Sequence, residues 1–301
     1  TIKYTGFVGA IVLAITLNAT SILATKEYTD FSTRGNSELT INPDGSEKQN
    51  TGGLTREYIT EYSYGITESL NLIVPRFTGG GSGDLIDKDS NFFKNLRNYD
   101  SESAKIIYEN ARLYWGDQPI VEAPAYIGVT VFFLFVIGLF FLGRINLIWV
   151  LSAFAFTLFL SWGKNFSFLT DIFIDYFPLY NKFRAVSSIQ VLIEFLVPFI
   201  AILGLYKFYK KGNEKIITLK KLLIVVSAFL SVFGVLYFFG ESLFDFKSNF
   251  EPFDQYPEIL KMIIDERIIV YKSDILRSSV FVILCFGVLY ASINKKIKEN
   301  Y

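Results

Sequence analysis

The chain has 301 residues, 51% of them hydrophobic, and its 29 cations and 29 anions cancel to zero net charge. Several apolar runs approach the roughly 20 residues that cross a bilayer core, which excludes an ordinary soluble domain and defines a polytopic membrane protein. There is no histidine, so imidazole chemistry is excluded, and the single Cys285 excludes disulfides and thiolate metal sites within the chain.

Six apolar segments pass in chain order, at roughly 5–24, 122–142, 145–162, 187–206, 222–240 and 275–293. The fold class expected is therefore an all-α polytopic membrane protein of about six transmembrane helices with a mixed α/loop extracytoplasmic domain. Its parts would be a first span over 1–24, a loop domain over 25–121, and a five-helix region over 122–301 with outer loops 163–186 and 241–274. The opening Thr-Ile-Lys, with Met262 the sole methionine, reads as a fragment or a processed product. Lys3 is a thin positive region and no small-residue cleavage pattern follows, so 5–24 reads as a true span rather than a signal peptide.

The charges sort by side. Lys3, Arg144, the tract KFYKKGNEKIITLKK (207–221) and the tail KKIK (295–298) are basic, whereas loop 25–121 holds ten cations against fifteen anions. If all six spans alternate, every basic segment falls on one face. The positive-inside rule makes that face cytoplasmic, with both termini inside.

Within the long loop, TINPDGSEKQNTGG (40–53) reads as turn and linker, and SESAKIIYENARLYW (101–115) has helical spacing with Asp100 or Ser101 placed as its cap. GGGSGD (79–84) lacks the following Lys-Ser/Thr of a phosphate loop and reads as a flexible turn. YWGDQP (114–119) joins two aromatics, a turn and Asp117, and reads equally as a cleft lining or an aromatic belt. Asp171 and Asp175 lie four apart on one helix face, where water-facing acids are the simpler reading than paired acid–base groups. Past Pro257, residues Ile259, Leu260, Ile263 and Ile264 form an apolar face suited to the membrane surface.

The most informative stretch is FPLYNKFRAVSSIQVLIEFLVPF (177–199). At 100° per residue, Arg184, Ser187, Gln190 and Glu194 share one arc of a helix, and Pro198 removes the donor to the Glu194 carbonyl. An ionised group in mid-span costs roughly 2.5–3.5 kcal/mol, so this stripe must face protein or water. A helix–helix polar contact and a hydrophilic cavity open to the outside both meet that demand. Lys164 begins the outer loop that Lys182 and Arg184 finish, and three such cations would match a lipid phosphate, with Arg184 as the bidentate fork.

The strings EYSYGITESLNLIVPRFTGGGSG, YWGDQP, LSWGKNF, DYFPLYNKFRAVSS and TRGNSELT resemble YfhO-type bacterial membrane proteins across most of the chain, least over 240–270. That resemblance implies a GT-C-like glycosyltransferase moving a sugar from a polyprenyl-phosphate donor onto an envelope glycopolymer acceptor. It also implies a longer protein whose catalytic acid lies upstream of Thr1, so that the missing N-terminal portion is itself a partner and no catalytic residue carries over. Lys182 and Arg184 match the family's NKFRA string and Glu194 its membrane-embedded acid, while Glu68 in SYGITES and Asp117 in YWGDQP also sit on matching strings. From their chemistry, Lys164, Lys182 and Arg184 are the lipid-phosphate candidates, and Glu68, Asp117, Gln190 and Glu194 the cavity or substrate candidates. A divalent metal is compatible with such chemistry, and no ligand cluster in the sequence specifies one. Membrane lipids are expected neighbours and nucleic acid is not. The rival readings are a transporter or lipid-carrier flippase, although no inverted repeat is seen, and a non-catalytic envelope scaffold.

Overall fold

The computed structural model describes residues 2–29, 31–35, 41, 44–46, 53–210 and 215–294. Most of the 40–53 turn, part of TRGNSELT, residues 211–214 of the basic tract and the KKIK tail lie outside the described residues. The chain forms two compact units, Thr1–Glu61 with Phe168–Val186, and Tyr62–Ser167 with Ser187–Tyr301.

In the smaller unit, helices α1 (Ile2–Leu17) and α2 (Ala19–Thr29) replace the single span expected over 5–24, because the chain bends by 59° between them. The Asn18 side chain donates back to the Ala14 carbonyl at 2.9 Å while its N–H reaches Ile15, a tight turn that an amide side chain favours over helix continuation. The short α3 (Arg56–Ile59) is capped by Thr55, and buried Leu54, Ile59 and Val186 make the small core beside Ile174 and Tyr180. Helix α8 (Ser167–Tyr176) presents Asp171 and Asp175 on one face, as their spacing predicts. Both carboxylates accept from the Arg56 guanidinium, Asp175 at 2.7 Å, with all three side chains about half exposed.

The larger unit holds α4 (Asn91–Asn95), α5 (Ser101–Asn110), α6 (Val129–Leu139), α7 (Arg144–Ser161), α9 (Val191–Lys210), α10 (Lys215–Leu243) and α11 (Pro257–Ile293). Asp100 caps α5 as expected, accepting from the Glu102 and Ser103 amides at 3.1 and 2.9 Å. Among the described residues there are no strands, only an isolated bridge between Leu85 and Arg112. Four helical stretches, Arg144–Ser161, Val186–Lys210, Thr218–Leu243 and Pro257–Ile293, are long and apolar enough to cross a membrane, and the bent α1–α2 pair makes a fifth if it is one span.

Two expectations change here. The 122–142 segment yields only the eleven residues of α6, about 16 Å of helix, too short to span a bilayer core alone. Pro124 and Gly128, the latter at φ 102, hold the chain out of helix until Val129, and turns at 140–143 end it. Conversely, α11 begins at Pro257 and runs unbroken for 37 residues through what reads as loop 241–274. The apolar face expected at a membrane surface is instead inside the protein, with Leu260 and Ile263 packed against Ile86, Phe92 and Ile107.

The GGGSGD segment is a packed turn rather than a flexible one. Gly79 and Gly80 both have φ near +100°, Asp84 accepts from the Gly81 N–H at 2.8 Å, and Ser82 is tied to Val121. Helices α6 and α9 approach closely at Gly138 and Gly204, where a Cβ on Gly138 would sit 2.8 Å from the Ile200 carbonyl. Such small-residue contacts let helix backbones pack where burial from water offers no drive. The main core joins α6, α10 and α11 through Phe133, Val226, Phe233, Tyr271 and Val282, and continues to Phe77, Trp115 and Phe246.

Candidate functional site

The larger unit carries a cleft of about 380 Å³ walled by Thr67, Glu68, Trp115, Asp117, Lys247 and Asn249. Two of the sequence-derived candidates, Glu68 and Asp117, therefore meet in one place. Glu68 lies in a 3₁₀ turn, Thr67–Leu72, and is buried. Its Oε1 accepts from the Tyr114 hydroxyl at 2.6 Å and from the Gln118 amide at 3.2 Å, and its Oε2 from the Gly65 N–H at 3.0 Å. Burial pushes the carboxyl above its ordinary value, and the hydrogen bonds offset only part of that. Burial and the adjacent Glu68 push the Tyr114 hydroxyl up as well, so it stays a donor.

The YWGDQP turn depends on its glycine. A Cβ on Gly116 would lie 2.7 Å from Glu68 Oε1, so the backbone can pass the buried carboxylate only without a side chain. Asp117, half-buried, accepts from Asn249 at 2.9 Å and more loosely from Asn165 at 3.4 Å. Trp115 adds a buried ring whose Nε1 has no hydrogen-bond partner among the described residues. Lys247 sits 3.8 Å from Asp254. A carboxylate, an amide, an ammonium and an indole around one hollow can hold a hydroxyl-bearing ligand and compensate a neighbouring anion.

Arg267 of α11 ties the two walls together. Its guanidinium donates to the carbonyls of Arg112 (2.9 and 3.1 Å), Tyr114 (3.2 Å) and Phe246 (2.8 Å), and to Glu251 at 2.7 Å. All five N–H groups are used, and both charged partners are buried. Phe246 holds a left-handed backbone, φ 54, a strained conformation that the Arg267 bond helps to fix. Two turns on, Asp274 receives Arg76 in a bidentate pair at 2.8 and 2.9 Å. Sequence reading missed these groups, although Arg267, Tyr271, Asp274 and Ser278 recur at helical spacing and are all buried.

The second pair of candidates borders another cleft of about 430 Å³, lined by Tyr64, Tyr126, Ser187, Ser188, Gln190 and Glu194. Gln190 is buried and Glu194 exposed. The helical stripe expected from Arg184 to Glu194 is not continuous. Ala185 takes a left-handed φ of 66, a 3₁₀ turn covers Val186–Gln190, and α9 begins only at Val191, running on through Pro198.

The expected trio of cations divides between the units. Lys164, in the larger, is exposed, and its backbone N–H donates to Ser63 at 3.0 Å. In the smaller unit Lys182 donates to the Arg34 carbonyl at 2.6 Å, while Arg184 bonds the Tyr58 hydroxyl at 2.5 Å, lies over its ring and stands 3.9 Å from Glu61. Lys182 and Arg184 thus already have protein partners, and neither unit by itself contains all three. Among the described residues no group of three or more Asp, Glu or Cys side chains is arranged to hold a metal ion. Comparison with protein-family models, with curated proteins and with solved structures found no match.

Proposed function

We propose that the chain is part of a membrane glycosyltransferase that moves a sugar from a polyprenyl-phosphate carrier onto an envelope glycopolymer. The likeness to YfhO-type proteins motivates the reading, and one observation carries it: Glu68 and Asp117 share a cleft with Lys247, Asn249 and Trp115. In this reading the cleft lies on the outer side of the bacterial cytoplasmic membrane, where lipid-linked sugars and a glycan acceptor meet.

Asp117 orients the acceptor hydroxyl, held in place by Asn249. Buried Glu68 positions the turn through Tyr114, Gln118 and Gly65 and touches no reactant. As the bond from the acceptor oxygen to the anomeric carbon forms, the bond from that carbon to the phosphate oxygen breaks, and its electron pair leaves with the polyprenyl phosphate. Lys247 compensates the charge that develops there. A general base takes the acceptor proton as the new bond forms.

The test uses the full-length protein in its own membrane, reading the modified glycan and confirming insertion in parallel. Asp117→Asn and Lys247→Ala should each lower modification by about 10²-fold or more. Unchanged modification in both variants removes the cleft from the reaction.

A further inference from the structure

The cleft beside α9 joins an unsatisfied amide to an unpaired acid. Gln190 is 2% exposed, and its Nε2 donates to Ser161 Oγ at 3.2 Å. The Ser161 hydroxyl proton is committed to the Leu158 carbonyl at 2.7 Å, so that oxygen can only accept from Gln190. The amide is thereby oriented, its NH₂ toward Ser161 and its Oε1 a buried acceptor with no partner among the described residues. Buried acceptors are nearly always paired, and one in the wall of a cleft is poised for a donor arriving from outside. Four residues on, Glu194 is exposed and lines the same cleft. Its carboxylate accepts no hydrogen bond and meets no cation among the described residues, although it lies within the spanning stretch Val186–Lys210. A carboxylate in such a stretch is costly unless something pairs with it.

The charge of the lining selects the ligand. Among the described residues no Lys or Arg borders the cleft, so Glu194 is its one formal charge. An anion would be repelled, and a neutral ligand would leave the carboxylate without a counter-ion. A divalent metal would lack ligands, since no three acidic or thiol groups gather among the described residues. At about 430 Å³ the hollow is far larger than a bare ion and falls in the range of organic ligands, roughly 300–1,000 Å³. Ser187 and Ser188 add hydroxyls, and Tyr64 and Tyr126 aromatic surface of the kind that attracts cations. Backbone bonds brace the walls, Tyr64 N–H donating to the Ser161 carbonyl at 3.0 Å and Ser187 N–H to the Tyr62 carbonyl at 3.1 Å. A primary ammonium brings one positive charge and three N–H donors, enough for Glu194, Gln190 and a serine hydroxyl together. A quaternary ammonium brings the charge alone and would leave Gln190 unsatisfied.

We propose that this cleft binds a primary ammonium group, with Glu194 as its counter-charge and Gln190 Oε1 as the buried acceptor that tells an N–H donor from a methylated nitrogen. Two sources present that group, the ethanolamine headgroup of a membrane lipid and a free amine in solution. The site shares no lining residue with the Asp117 cleft and stands whether or not the chain takes part in sugar transfer.

The test is saturation-transfer NMR on the whole chain in a non-ionic detergent, titrating ethanolamine and its N-methylated counterpart choline. A second arm adds phosphatidylethanolamine or phosphatidylcholine to the micelles and reads the retained lipid by native mass spectrometry. At least one primary amine should bind, about tenfold or more tightly than its methylated counterpart. Retention of phosphatidylethanolamine without ethanolamine binding assigns the site to a lipid headgroup, and the reverse assigns it to a free amine. Glu194→Gln and Gln190→Leu should each weaken that binding by about tenfold or more. Glu258→Gln, at an exposed acid of α11 outside both clefts, should leave it within about threefold. Should Gln190→Leu fail to fold, Glu194→Gln and the preference over methylated nitrogen carry the test. No binding of either primary amine, equal binding of the methylated forms, binding unchanged in Glu194→Gln or in folded Gln190→Leu, or an equal loss in Glu258→Gln would each overturn the proposal.

Discussion

Arg267 and Arg56 each answer carboxylates, yet they belong to opposite physical regimes. Arg267 and Glu251 are 1% and 4% exposed, and the guanidinium also satisfies three backbone carbonyls. Arg56, Asp171 and Asp175 are 46–48% exposed, with water able to replace any of them. The lesson is that an ion pair's worth lies less in its attraction than in what its removal strands. Stripped of Arg267, Glu251 would be a buried charge without a counter-ion, and the carbonyls of residues 112, 114 and 246 would lose their donor.

The comparison can be broken or sharpened in four experiments on detergent-solubilised protein. Arg267→Met should cost the most, about 3–5 kcal/mol of stability by thermal or denaturant unfolding. The double variant with Glu251→Leu should recover most of that loss, because no charge is then stranded. A double variant as unstable as the single one would show that the carbonyl contacts dominate. Arg76→Ala is the intermediate case, since Arg76 is 44% exposed but its partner Asp274 only 1%. A loss of about 2 kcal/mol is expected, with water partly replacing the guanidinium.

Glu68 sharpens the contrast differently, as a buried acid held by neutral donors rather than a cation. Its folded-state value is raised above the ordinary 4.5, so the folded form holds its proton longer than the unfolded chain does. The resulting stability is fully present below pH about 4.5 and is lost as pH rises through the folded-state value. Glu68→Gln should flatten that part of the stability–pH curve, and an unchanged slope would assign it to other groups. Arg56→Ala should have the least effect, below about 1 kcal/mol and smaller still in high salt.

Much of the helical plan was legible because apolar length is a local property. The runs at 222–240 and 275–293 fall within α10 and α11, the run at 145–162 matches α7 to within one residue, and the run at 187–206 is α-helical from Val191 onward. What failed was whatever a single residue decides against its neighbours. Asn18 turns the first segment, and Gly128 delays the second. Charged residues within 258–274 suggested a loop, yet Glu266, Arg267 and Asp274 are buried with partners distant in sequence.

The site was legible in part for the same reason. Glu68 and Asp117 were marked by the strings around them, and the structure brings them together. Lys247 and Asn249 lie in a stretch with no local pattern, so only tertiary placement reveals them. The Lys164–Lys182–Arg184 grouping assumed that the two ends of one loop act together, whereas residues 168–186 fold in a different compact unit from Lys164.

The length of α11 has a mechanical consequence. Thirty-seven residues make a rod of about 55 Å, while a bilayer's hydrocarbon layer is about 30 Å thick. Arg267, ten residues from the amino end of that rod, grips both walls of the Asp117 cleft. A helix long enough to cross a membrane is thus the same one whose side chain fixes both walls of that cleft.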